Sequence, residues 1–248
     1  MIVLKSPREI ATMREANRIL ALLFEHLQGL IQPGVTTAEL DQEAELFIRS
    51  HNAVPAFKGY RGYPATLCTS VNEEVIHGIP SKRKLRKGDI VSIDVGAVYE
   101  GFYSDSARTF PVGEVSDDAL RLMEATERAL MEGIERARPG NRLHDISAAI
   151  QDVVERAGFS VVREFVGHGI GRSLHEDPQV PNFGRKGSGP LLQEGMTLAI
   201  EPMVNQGTWK VEILDDGWTA VTADGSLSAH FEHSIAITSN GPVILSVL

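Results

Sequence analysis

The chain has 248 residues, enough for one large domain or two fused halves around a substantial buried core. Apolar residues make up 42% and charged residues 23%, an ordinary soluble balance, and a net charge of −9 argues against a dedicated nucleic-acid binder. The single cysteine, Cys68, excludes an internal disulfide, and neither a signal peptide nor an apolar run of transmembrane length is visible, so a cytoplasmic protein without membrane association is expected.

In chain order, Ser6-Pro7-Arg8-Glu9 reads as a capping box with Pro7 at the first helical position. Ile10, Met13, Ala16, Ile19, Leu20 and Leu23 follow at helical spacing, which predicts a helix to about Leu30. A second helix starts after Pro33-Gly34, capped near Thr37 and carrying Leu40, Ala44, Phe47 and Ile48. Short β-rich runs occupy residues 56–110. A further helix pair, 117–138 and 143–157, is separated by Pro139-Gly140, and the remainder is β-rich again.

That order implies an internal duplication. His77-Gly78-Ile79 recurs as His168-Gly169-Ile170, and the run from Leu85 through Gly88 to Ile93-Asp94 recurs from Leu192 through Gly195 to Ile200-Glu201. The expected fold is α+β: one catalytic domain of two pseudo-symmetric halves, roughly 1–112 and 113–248. Mainly antiparallel strands surround a central cleft and helices pack outside.

Four acids recur at matched places. If the runs at 89–98 and 102–110 form a hairpin closed near Glu100, Asp94 lies opposite or diagonal to Asp105. Direct cross-strand neighbours have Cβ atoms roughly 4.5–5.5 Å apart, and like charges there destabilise the pair. In the second half Glu201 ends an apolar run before Pro202, and Glu232 lies in a strand expected over 229–238. A lone acid usually caps a turn or meets an arginine. Four on matched strands are more simply explained by a metal centre. Two divalent ions would balance four negative charges and could share a bridging water. The oxygen-rich donor set favours manganese, iron or cobalt at least as much as zinc.

Of eight histidines, His26, His51 and His144 fall in or beside predicted helices and are read as surface or packing residues. His230 and His233 flank Glu232 and are read as supporting residues at most. His77 and His168 each precede Gly-Ile, where the glycine would let the backbone bend while the ring enters the cleft. His168 and His175 share a glycine-rich run with a spacing of seven, unlike the two-histidine zinc helix. One ligand and two polar catalytic groups is the better reading.

With these residues assembled, the sequence resembles the type I methionine aminopeptidases of the short bacterial kind from Ser6 to Leu245. The motifs are Gly59-Tyr60-x-Gly62-Tyr63-Pro64, Asn72-Glu73-x-x-x-His77-Gly78-Ile79-Pro80, Asp94-Val95-Gly96, Ser104-Asp105-x-Ala107-Arg108-Thr109, Gly167-His168-Gly169-Ile170-Gly171, Ile200-Glu201-Pro202 and Phe231-Glu232-His233. The resemblance implies the pita-bread fold and removal of the initiator methionine from nascent proteins when the next residue is small. It implies that Asp105 and Glu232 bridge two metals, that His168 and Glu201 complete one site, and that Asp94 chelates the other. Glu201 would be the acid-base group, His175 would stabilise the developing oxyanion and His77 would position the substrate. Tyr60, Tyr63, Cys68, His77 and Trp218 would line the methionine pocket. Leu174 would join them, at a position where the family commonly has phenylalanine. Asn72, Glu74 (by its carbonyl) and Ser228 match a structural sodium or potassium site.

Trp218 also follows an Asp216-Gly217 hairpin signal, which places it beside a turn. The run Lys82, Arg83, Lys84, Arg86 and Lys87 could meet ribosomal RNA, or be a solvated loop. A monomer is expected. The rivals are a proline-specific aminopeptidase or prolidase, which usually carries a further N-terminal domain, and an inactive binding homologue, which would have lost metal ligands. A type II enzyme would carry a helical insertion, and only thirty residues separate Glu201 from Glu232.

Overall fold

The computed structural model describes residues 1–248. Four helices, α1 (Pro7–Gln28), α2 (Thr37–Ser50), α3 (Asp117–Glu135) and α4 (Leu143–Arg156), occur where the apolar spacing predicts them. Ser6 Oγ accepts the Glu9 amide while Glu9 Oε2 accepts the Ser6 amide at 2.9 Å, the reciprocal cap read from the sequence. The cap of α2 is Thr36, one residue before the expected position, paired in the same way with Glu39. Helix α1 stops two residues short of Leu30 because the amides of Leu30 and Ile31 both turn back to the Leu27 carbonyl. Helix α3 stops before 138, since Arg138 precedes Pro139 and is pushed out of the helical region. No helix is long and apolar enough to cross a membrane.

A nine-stranded sheet forms the body, and every pairing in it is antiparallel. Its spine runs Ile90–Tyr99, Phe102–Pro111, Glu232–Thr238, Thr197–Ile200, Gly167–Gly169. Each helix pair covers it through its own apolar cluster. One joins Leu20, Phe24 and Leu40 to Val91, Ile93 and Val95, and the other joins Leu122, Leu130 and Ile150 to Leu198, Ile200 and Ile235. The other sheet face carries polar residues and lines the cleft.

Register determines what meets there. Tyr99 pairs with Phe102 across a two-residue turn in which Glu100 and Gly101 both have positive φ, 49° and 79°. Such a turn matches the twist of its flanking strands and locks the pairing. It sets Gly96 opposite Asp105 and Asp94 opposite Ala107, so the two acids are diagonal. Ala107 in turn faces Glu232, and Ala199 faces both Ser234 and His168. Small residues therefore floor the sheet between the polar ones.

The strand expected over 229–238 is divided. Ser228–His230 pairs with Met203–Asn205 in a separate three-stranded sheet, and Glu232–Thr238 joins the main one. The break at Phe231 lies against Pro202, which has no amide to continue a ladder. The glycines after the cleft histidines also differ from expectation. At His77 the left-handed φ, 60°, belongs to the histidine itself. Gly78 and Gly169 serve close approach instead, because a Cβ there would collide with the carbonyls of Thr69 and Asp177.

Ile93, fully buried beneath α1 on the face opposite Asp94, reports how far this packing is rigid. Ile93→Ala should cost about 2–5 kcal/mol of unfolding free energy in urea titrations of chelator-treated protein.

Candidate metal centre

Asp94, Asp105, His168, Glu201 and Glu232 line one cleft, and single ligand atoms of Asp105, His168 and Glu232 lie within 4.8 Å of one another. His168 Nε2 is 3.5 Å from Glu201 Oε1 and 3.6 Å from Asp105 Oδ2. Asp94 and Asp105 stand diagonally across the hairpin and both line the cleft. In a flat sheet, three strand steps of about 4.8 Å would put His168 and Asp105 about 14 Å apart. Curling of the sheet and the small floor residues Ala199 and Ser234 close that gap.

No lysine or arginine reaches any of the four carboxylates, whose only basic neighbours are the His168 and His230 rings. Burial and mutual repulsion push Asp94, Glu201 and Glu232 well above the usual carboxylate range, and burial raises Asp105 to about 8. Asp94 Oδ1, Asp105 Oδ1 and Glu232 Oε1 are buried without a hydrogen-bond partner. Orphaned acceptors converging in this way carry a large desolvation cost, which a cation between them offsets. His168 fits the same purpose. Its Nδ1 donates to the Gly169 carbonyl at 2.9 Å, so the Nε2 lone pair faces the carboxylates, and burial keeps the ring neutral. The donor set therefore fits divalent cations.

The remaining polar groups form the wall. His175 packs against His168 with ring centroids 4.3 Å apart, and its Nδ1 meets the Tyr60 hydroxyl at 2.8 Å. Burial, then His168 and Arg61, lower its pKa to about 4. His77 is brought to about 4 chiefly by burial, held edge-on between Phe165 and Trp218. Both are neutral donors at neutral pH. Tyr63 is buried and donates to the Leu67 and Gly78 carbonyls, with the Trp218 ring edge-on at 5.1 Å. Cys68 is buried and burial raises its thiol pKa, so it stays a protonated, apolar wall. Leu174 completes the wall of a pocket of about 680 Å³, open at its mouth.

Phe57 and Arg61 also line this pocket and were not singled out in the sequence. Their signal was adjacency to Gly59-Tyr60-x-Gly62-Tyr63, whose turn has φ of 88° at Gly59 and 49° at Arg61. His230, read as supporting, is buried with Nε2 3.9 Å from Glu201 Oε2, behind the centre. His233 points away and meets Ser246. Asn72 and Ser228 are joined by a 2.9 Å backbone bond, and the Glu74 side chain is taken by Arg83 and the Val71 amide. In the basic run, Arg83 is paired with Glu74 and Lys87 with Glu114, which leaves Lys82, Lys84 and Arg86 as its unpaired charges.

Comparison with known proteins agrees with this geometry. The model of metallopeptidase family M24 matches residues 11–239. A methionine aminopeptidase of Clostridium perfringens is 58% identical over 248 residues, covering 100% of both chains. The crystal structure of methionine aminopeptidase from Thermotoga maritima has a TM-score of 0.98 at 49% identity, again with 100% of both chains covered. An Xaa-Pro dipeptidase from Bacillus anthracis has a TM-score of 0.77 at 26% identity, covering 98% of this chain and 61% of that one. The chain belongs to metallopeptidase family M24, in its methionine aminopeptidase branch.

The raised carboxyls have a thermodynamic consequence. Asp105 holds its proton in the folded protein up to about pH 8 but releases it near 3.8 when unfolded. Between those values the folded state binds more protons, so stability falls as pH rises. Melting of chelator-treated protein should show this decline between about pH 4 and 8. Asp105→Asn should flatten it, and an unchanged slope would refute the assignment.

Proposed function

We propose that the chain hydrolyses the first peptide bond of polypeptides that begin with methionine, at a centre of two divalent cations held by Asp94, Asp105, His168, Glu201 and Glu232. In this reading all five side chains would serve as ligands, and Glu201 would also act on protons. One observation carries it: four buried or half-buried carboxylates and a neutral imidazole converge with no lysine or arginine to balance them. Full-length similarity to methionine aminopeptidases supports the substrate. A pair of divalent cations would supply an acidified water and polarise the scissile carbonyl.

The protein supplies the rest. Phe57, Tyr60, Tyr63, Cys68, His77, Leu174 and Trp218 exclude water from the methionine side chain, where a flexible thioether packs well against aromatic edges. Leu174 is shorter than phenylalanine, so the pocket is wider on that side. Glu201 takes the proton of the attacking water and returns it to the leaving amine. When the Tyr60 hydroxyl donates to His175 Nδ1, His175 Nε2–H is left to donate to the carbonyl oxygen as charge develops there. His77, rigid between Phe165 and Trp218, steadies the substrate backbone.

The finer reading has further parts. Residues 1–112 and 113–248 are two halves of one catalytic domain, which works as a monomer in the cytoplasm on nascent chains whose second residue is small. Manganese, iron, cobalt and zinc are the candidate metals. Asn72, the Glu74 carbonyl and Ser228 hold one sodium or potassium ion. The unpaired charges of the Lys82–Lys87 loop contact ribosomal RNA, and charge reversal there should abolish co-sedimentation with ribosomes.

The decisive assay combines cleavage and metal content. After chelation the protein should lose activity on Met-Ala-Ser and regain it on addition of manganese, iron or cobalt, with two ions per chain by elemental analysis. Glu201→Gln should lower kcat by about 10²–10⁴-fold. Preferred cleavage of Xaa-Pro peptides would discard the methionine reading.

A further inference from the structure

The wall carrying Leu174 and His175 is an irregular segment between Gly167–Gly169 and Glu176–Val180. Glycine-rich and without a ladder of its own, it should be loose. It is instead held from the start of the chain. Glu176 Oε1 accepts the amides of Arg172 at 2.8 Å and Ser173 at 3.3 Å, closing the segment on itself. Its other oxygen, Oε2, takes the ammonium of Lys5.

Lys5 is buried with only 4% of its side chain exposed, and Glu176 with 13%. A lysine is almost never buried to that degree unless paired, because its desolvation is costly. Lys5 Nζ also donates to the Val3 carbonyl at 3.1 Å, and its amide donates to Gly195 at 2.7 Å, so the lysine is itself fixed. Gly171 packs directly on the pair, since a Cβ there would overlap both Lys5 and Glu176 Oε1. A second ion pair from the same stretch, Glu9 to Arg172 at 3.1 Å, grips the segment one residue further on. The Arg172 guanidinium also lies 4.3 Å from the Phe102 ring centroid.

We propose that Lys5 is a positioning residue for hydrolysis: through Glu176 it locks residues 171–175 and thereby holds the His175 imidazole over the cleft. Neither Lys5 nor Glu176 lines the pocket. The main effect is thus on the geometry of His175 in the transition state, with a smaller one on binding through Leu174 in the same segment. The proposal rests on the role given to His175 above.

A double-mutant cycle tests it. Lys5→Met, His175→Ala and the double variant are assayed on Met-Ala-Ser with manganese, alongside metal content and melting temperature. Lys5→Met should lower kcat by about tenfold with KM changed by less than about twofold, since small misplacements of a reacting group act on rate. In the His175→Ala background the same substitution should cost less than about twofold, because the group it positions is gone. Equal losses in both backgrounds, or no loss of kcat in Lys5→Met, would overturn the proposal while leaving the role of His175 intact. A fully active His175→Ala would overturn both. Should Lys5→Met fail to fold, Glu176→Gln carries the same test. It keeps an oxygen acceptor for the two amides and turns an NH2 donor toward Lys5, so the ion pair alone is broken.

Discussion

Four carboxylates share one buried cleft, and the protein provides no fixed positive charge to balance them. Everything else in the molecule is arranged around that imbalance. A sheet whose register was one residue different would turn the acids into the helix-covered core, where the same charges would be intolerable. The helices pack against the other face of the same strands, so core packing and site geometry are set by one alternation. The polar face in turn depends on small residues. Ala107, Ala199 and Ser234 stand between the acids and the histidine where larger side chains would fill the space for a cation.

Neutral histidines complete this electrostatic arrangement. His77, His175 and His230 are held well below their usual pKa by burial, even though carboxylates are close. Desolvation outweighs attraction here because the acids are themselves held protonated when no cation is present. Positive charge is thus reserved for metal ions and for the substrate amine. A chain-start lysine extends the same economy outward, since Lys5 meets its carboxylate behind the pocket wall rather than inside the cleft.

Much of the site was legible before any coordinates. Alternation in the 90–111 hairpin and the Glu100-Gly101 turn were enough to bring Asp94 near Asp105, and the capping box at Ser6 and the cap read near Thr37 marked the starts of α1 and α2 to within a residue. Turn chemistry and periodicity are local, so they survive in sequence. The division at Phe231 was not legible, because it arises against Pro202, which lies between two other strands far earlier in the chain. Lys5 was silent, and Phe57 and Arg61 were marked only by standing beside or inside the Gly59–Tyr63 motif. Nothing in the spacing of an aromatic or a basic residue says which cavity it borders or which acid it will meet.

By itself the sequence determined the four helices, the 90–111 hairpin and the motifs that carry the family resemblance and its five candidate ligands, since each is written in short local patterns; whether Asp94 lies opposite or diagonal to Asp105 was decided by the structure. Only the tertiary structure decided that the sheet curls enough to bring His168 onto Asp105, and that no arginine reaches the acids. It alone set His77 in a left-handed conformation and Lys5 behind His175. Those outcomes depend on long-range packing between strands and termini far apart in the chain, and long-range packing leaves no periodic mark on the residues that take part in it.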